Sequence, residues 1–480
     1  MSTVDGFLLV IAAIFVIGIV GELIFERTGV PDVIWLIVVG IVIGPVAGWV
    51  PRRELIEIAP YFGALTLVVV LFDGGSELRL AELGRAAPRA MLLAVLGFSM
   101  SAGVMALASM LAHWAGWLPT WGWLQAVTLG AITGGSSSVV IMPAVRKAGL
   151  DAKIANLVNL ESALTDVLCV VVTGACIQLH LTHSTGAGAG AIALAKSFGI
   201  GLGIGGVTGI LALLILRRLT QGHYGYPLVL GALLVLYVVI DALEGSAALG
   251  ILTAAVIVGN APALSKQMGL AKRAFLARGI QNVHDQITFF VKSFFFTFIG
   301  AMLAPPWGLI ALGVLLGLAA LAARVPAAFL ATLGSGWTHT ERGLVSVSLP
   351  RGMAAGVLAM MPWTAQMPGT EDLPIVVFAF VLTTILSFAI GFPIFKRRMP
   401  KESLRSTEPS EPPHPIAPPS ARTVEERADE RAEPRTGAAP DVAATHLDDV
   451  PSDAATDAMP PDVTVPEDRA SPGDRERLPS

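Results

Sequence analysis

The 480-residue chain is poor in charge and nearly free of cysteine. Only 14% of its residues are charged and its mean hydropathy is +0.69, which excludes an ordinary soluble domain of this length. Its two cysteines, Cys169 and Cys176, exclude a disulfide framework. Seven apart on one apolar stretch, they read as buried thiols rather than redox partners. The first apolar run lacks a basic leader and a small-residue cleavage site, so it is expected to stay as an anchor. Among the eight histidines none is placed as an intramembrane base: His180 and His183 sit beside an outer loop, and His284 opens a helix. The serine-rich "GGSSSVV" is therefore not expected to be a nucleophile site, and no enzymatic activity is expected.

What the chain has is apolar length and glycine. Hydrophobic runs of roughly 17–27 residues recur thirteen times, from 6–24 to 373–395, each suited to a hydrocarbon core about 30 Å thick. Its 50 glycines fit helices that pack closely in lipid. The expectation is an all-α, multi-pass membrane protein of about thirteen transmembrane helices, surrounded by lipid and without a nucleic-acid partner.

Charge is placed unevenly. Arg27, Arg79, Arg85, Arg89, Arg146, Lys147, Lys153, Arg217, Arg218, Lys266, Lys272, Arg273 and Arg278 fall in alternate loops, joined by Arg342, Lys396, Arg397, Arg398 and Lys401. The opposite loops hold little beyond Arg52 and Arg53. Basic loops stay cytoplasmic, so the N-terminus is expected outside and the C-terminus inside. Residues 401–480 hold 18 of the 36 acids but 9 of the 32 basic residues, in Pro- and Ala-rich sequence. Such a segment buries too little apolar area to offset its ordering entropy. Residues 399–480 are thus expected to be a disordered cytoplasmic tail, solvated rather than docked, with a cytoplasmic regulator as the other reading.

An ionisable side chain at mid-membrane costs about 2.5–3.5 kcal/mol on insertion scales and usually marks an ion or proton path. Asp73, Glu161, Asp166, Lys292, Arg324 and Arg351 are such residues. In "NLESALTDVLCVVV" (159–172), Ser162 and Asp166 are four apart and share a helix face, with Thr165 on the flank. Glu161 points away from Asp166, toward a basic partner such as Arg351. Just upstream, "LGAITGGSSSVVIMPAV" (129–145) places Gly134–Gly135 and Pro143 in an apolar span, so a broken helix is expected. Its unwound carbonyls, with Thr133, Ser136 and Ser137, and the hydroxyls of Ser162 and Thr165 beside Asp166, give hard-oxygen ligands suited to a monovalent cation. Desolvation favours the neutral form of a carboxylate, so Asp166 can also take a proton. One group that holds a cation or a proton in competition is the minimum apparatus for exchange.

A second interruption lies late in the chain, at Pro350, Arg351 and Gly352 in "SVSLPRGMAAGVLAMM". Paired interruptions in the two halves point to an inverted-repeat transporter with a midplane site. Arg324 in "LAARVPAAFL", where Pro326 loosens the backbone, and Arg351 would offset the acids. Asp73 in "LFDGGSEL" reads as a helix-end acid ahead of a glycine turn, or as the outer member of an ion funnel. Lys292 snorkels to the interface or pairs with an acid.

At these residues the chain resembles monovalent cation/proton antiporters of the sodium/hydrogen exchanger superfamily. "LESALTD" is similar to that family's Glu-Ser-x-x-Asn-Asp motif, and "LPRGMAAGVLAM", "ARVPAAFL", "LFDGGSEL" and "FFFTFIGAML" resemble four further segments in the family's order. The resemblance covers roughly residues 6–398. It implies a core near 88–180 and 307–395 with two crossing broken helices, and a dimerisation domain near 6–75 and 188–304. It further implies a homodimer in the cell membrane working by an elevator-like motion, with no resident cofactor. Asp166 would carry cation and proton, Ser162 would be a ligand, and Arg324 would pair with an acid. Thr165 stands where the family has Asn, and Ser136–Ser137–Ser138 where it has Thr-Asp-Pro. A single carboxylate favours one-for-one exchange, with sodium first and lithium or potassium as alternatives. A cation channel and a non-transporting sensor are the other classes.

Overall fold

A computed structural model of the chain describes residues 3–28, 30–78, 88–181, 187–216, 225–261, 264, 278–303, 306–334 and 336–399. The tail from residue 400 lies outside them, as do His183 and the loop cations Arg79, Arg85, Arg217, Arg218, Lys266, Lys272 and Arg273. Among the described residues all regular structure is helical. The elements are α1 (Thr3–Thr28), α2 (Asp32–Ile41), α3 (Arg52–Glu77), α4 (Pro88–Trp114), α5 (Trp123–Thr133), α6 (Ser138–Ala148), α7 (Ala152–Leu181) and α8 (Ala187–Leu216). They continue as α9 (Gly225–Ala242), α10 (Ala247–Gly259), α11 (Arg278–Met302), α12 (Trp307–Ala331), α13 (His339–Val347), α14 (Met353–Leu358), α15 (Met361–Thr364) and α16 (Leu373–Arg397). Eight helical spans among the described residues are long and apolar enough to cross a hydrocarbon core.

Three local expectations change. The glycine pair after Asp73 does not end its helix, because α3 runs on to Glu77. Pro326 lies inside an uninterrupted α12, its missing amide tolerated within the bundle. Pro143 likewise sits inside α6, so the first interruption comes from Gly134–Gly135 and the serines after them. By contrast, α2 runs into a π-helical turn, Val42–Val46, around Pro45.

The closest helix packing falls into two groups. In one, α4 packs on α5, α7 and α12, and α12 on α13 and α16. In the other, α2 packs on α1 and α11, and α10 on α3, α8 and α9. Small residues permit the tightest crossing, between α2 and α11. A Cβ on Gly40 would lie 2.0 Å from the Thr297 carbonyl, and one on Gly300 would lie 2.1 Å from that of Ile37.

The two interruptions meet. Residues 134–137 join α5 to α6, and residues 348–352 join α13 to α14. The Ser137 amide donates to the Pro350 carbonyl at 2.9 Å, so each break satisfies a backbone group that the other exposes. A Cβ on Gly352 would lie 2.1 Å from Ser137 Oγ, so only glycine allows this approach.

Candidate functional site

Glu161 and Arg324 are fully buried on α7 and α12. Arg324 donates from Nη1 to Glu161 Oε1 and from Nη2 to Oε2, both at 2.8 Å. This is the fork geometry that makes an arginine–carboxylate pair directional as well as strong. The pair also grips both breaks. Ser136 Oγ donates to Glu161 Oε2 at 2.9 Å, and Arg324 Nη2 donates to the Ser348 carbonyl at 3.3 Å. Gly97 of α4 leaves the guanidinium its room, since a Cβ there would lie 2.8 Å from Nη1. Glu161 therefore pairs with Arg324 and not, as its position in the sequence suggested, with Arg351.

Arg351 is left in an unusual state. Its side chain is 2% exposed, and neither Nε, Nη1 nor Nη2 has a hydrogen-bond partner among the described residues. Its amide donates to Thr384 Oγ1 at 3.0 Å, which fixes the backbone of the second break on α16. Its charge acts on Asp166, the half-buried acid one turn beyond Ser162. A buried cation without hydrogen bonds is tolerable only where an opposite charge answers it.

The hydroxyls expected around Asp166 are engaged by the first break. Ser162 Oγ donates to the Ser136 carbonyl at 3.0 Å, and Thr165 Oγ1 donates to the Ser162 carbonyl at 3.0 Å. Thr165 Oγ1 also accepts from the Ser136 amide at 3.1 Å. Thr133 Oγ1 donates to Leu129 within its own helix at 2.7 Å. Glu161, Ser162 and Thr165 thus stitch α7 to the break, where Gly135 comes so close that a Cβ would lie 2.8 Å from Cys169 Sγ. Glu161 faces the first break together with Ser162 and Thr165.

Asp166 opens instead onto a cavity of about 30 Å³ between α7, α3 and the start of α6, whose walls include Gly74, Ser138, Asn159 and Ala163. Thr133, Ser136, Ser137, Ser162 and Thr165 are not among its walls. The sequence marks Ser138 only as the last of the three serines standing for Thr-Asp-Pro, and it does not single out Asn159. The signal for Asn159 was its spacing seven residues before Asp166, two turns along one helix face.

Ser138 also borders a larger cavity of about 240 Å³ that includes Asp73, Arg146, Asp285 and Lys292. Asp73 Oδ1 lies 2.8 Å from His284 Nε2, and His284 Nδ1 lies 3.2 Å from the Tyr226 hydroxyl. Asp73 thus lines a polar vestibule near the end of α3, paired with His284 beside it. Lys292 pairs with Asp32 at 2.7 Å, which decides between snorkelling and pairing.

The chain is 25% identical over 414 residues to the K(+)/H(+) antiporter NhaP of Alkalimonas amylolytica, covering 84% of this chain and 69% of that one. It is 25% identical over 398 residues to the K(+)/H(+) antiporter NhaP2 of Shewanella baltica, covering 80% and 65%. The chain thus spans about two thirds of the length of these relatives. It is 24% identical over 395 residues to Na(+)/H(+) antiporter 1 of Methanocaldococcus jannaschii, covering 78% and 87%. Its fold matches the sodium proton antiporter MjNhaP1 from that organism with a TM-score of 0.67 at 20% identity, over 82% of this chain and 99% of that one. Residues 10–397 match the transmembrane sodium/hydrogen exchangers, and the chain belongs to that family.

Proposed function

We propose that the chain is a secondary antiporter that exchanges a monovalent cation, sodium first, for protons, with Asp166 holding either in turn. The observation that carries this reading is the state of the buried charges. Glu161 and Arg324 neutralise one another in a closed pair. Asp166 faces a small cavity, beside two crossed helix breaks and an arginine whose guanidinium makes no hydrogen bond among the described residues. A carboxylate carrying a proton and one carrying a monovalent cation have the same net charge. Both half-cycles then move equal charge, and the exchange is electroneutral.

Potassium is the second reading, favoured by the relatives named as K(+)/H(+) antiporters. Ser138, on the wall of the Asp166 cavity, offers a neutral ligand to either ion.

The two packing groups supply the moving parts. The group near 88–180 and 307–395 carries Asp166, and the group near 6–75 and 188–304 forms the opposite wall of its cavity. In this proposal the first slides against the second, and the second joins two copies into a homodimer. Thirteen crossings put the N-terminus outside and the C-terminus in the cytoplasm. Lys147 binds the carbonyls of Phe25 and Glu26, so two of the basic loop regions share one end of the molecule. The vestibule includes Arg146 at that end and would open to the cytoplasm.

The test is proton flux in proteoliposomes with sodium, lithium and potassium, with and without a clamped membrane potential. Asp166→Asn should abolish cation-driven proton movement for all three ions while the protein still elutes as a folded dimer. Persistent exchange in that variant would overturn the assignment.

A further inference from the structure

Asn159, Ala163 and Asp166 fall at i, i+4 and i+7 on α7 and form one stripe. The methyl of Ala163 leaves the space between the amide and the carboxylate unfilled. Opposite lies Gly74 of α3, where an added Cβ would meet no heavy atom within 4 Å. Ser138, the first residue of α6, borders both this cavity and the vestibule. The space, about 30 Å³, is enough for a water molecule or a dehydrated ion. Among the described residues, no hydrogen bond engages the Asn159 amide, the Ser138 hydroxyl or the Asp166 carboxylate. The hydroxyls of Ser162 and Thr165, by contrast, already donate to backbone carbonyls behind Asp166.

We propose that Asn159 and Ser138 complete the cation coordination of Asp166, and that Asn159 is a residue that sets cation affinity and choice. The inference rests on the reading of Asp166 as the carrier. A dehydrated alkali cation needs several oxygen ligands, and Asp166 supplies the charge but at most two of them. The Asn159 amide oxygen and the Ser138 hydroxyl are neutral oxygens on the same cavity wall. An amide does not titrate, so Asn159 favours the cation while leaving the proton to Asp166. Ser138 is placed to receive the ion first, because it faces the vestibule as well.

The experiment measures exchange against external sodium, potassium and lithium in proteoliposomes, with detergent-phase melting as the folding control. Asn159→Ala should raise the half-saturating sodium concentration about tenfold, the effect of losing one good ligand. It should raise that for potassium less, since the emptied space suits a larger ion, and the maximal rate should persist. Asn159→Asp keeps an oxygen in place and should match or improve on the parent's half-saturation. Gly74→Ala puts a methyl into open space on a helix that accepts alanine, and should weaken all three cations without lowering the melting temperature. Half-saturating concentrations within twofold of the parent for Asn159→Ala, Ser138→Ala and Gly74→Ala would overturn the inference. If Asp166→Asn is then silent, the carrier reading still stands; if it still exchanges, that reading fails as well.

Discussion

At the scale of single residues, the two buried arginines look alike in the sequence and differ in consequence. Arg324 is closed by two 2.8 Å bonds to Glu161, while Arg351 has none from its guanidinium. Removing one partner of a buried pair strands the other charge, at about 3–5 kcal/mol. Glu161→Gln should therefore lower the melting temperature sharply. The double change Glu161→Leu with Arg324→Met should recover most of the loss, since an apolar pair of similar volume replaces both charges. Arg351→Met removes a cation that makes no hydrogen bond, and should cost much less stability than Arg324→Met while altering the cation and pH dependence of exchange. Equal melting losses for the two methionine variants would contradict this distinction. None of it was legible in the linear order. Glu161 had two basic candidates, and the choice falls to Arg324 because Gly97 of α4 leaves space for its guanidinium.

At the scale of elements, much more could be read in advance. Apolar length marked the helices, since it follows directly from the thickness of hydrocarbon. Gly134–Gly135 and Pro350–Gly352 marked the breaks, since those residues withdraw helix propensity or a backbone donor. The glycines after Asp73 carried the same local signal and the helix went straight through them. Their use is in packing: Gly75 sits against Ala255 and Leu252 of α10, and Gly74 leaves a space open. Propensity alone cannot tell a glycine that ends a helix from one that lets a neighbour or a ligand approach. The breaks themselves are open to test. In Gly352→Ala the new methyl would meet Ser137, whose Cβ lies 2.7 Å from it and whose Oγ lies 2.1 Å away. Exchange and yield of folded protein should both fall. Ser137→Gly should restore part of each and Ser137→Ala should not, because alanine keeps the offending Cβ.

At the scale of the whole molecule, the proposal requires two helix groups to slide. One contact between them can be locked. A Cβ on Gly63 of α3 would lie 3.9 Å from the Cβ of Met360, in the turn after α14, which suits a disulfide. Gly63→Cys with Met360→Cys, in a background where Cys169 and Cys176 are replaced, should exchange ions when reduced and stop when oxidised. Undiminished exchange after complete cross-linking would show that these groups do not move past one another.

The crossing of the two breaks has a further consequence for biosynthesis. Residue 137 and residue 350 are made far apart in time, yet each supplies the other's missing backbone bond. Until α12 enters the bilayer Glu161 has no arginine, and until Pro350 follows the Ser137 amide has no acceptor, both in a medium without water to stand in. The first half of the chain must therefore wait in the membrane in an unfinished state, held by its long apolar helices and by the bonds that stitch α7 to the first break. That interval ends when the second break arrives and the Ser137 amide meets the Pro350 carbonyl.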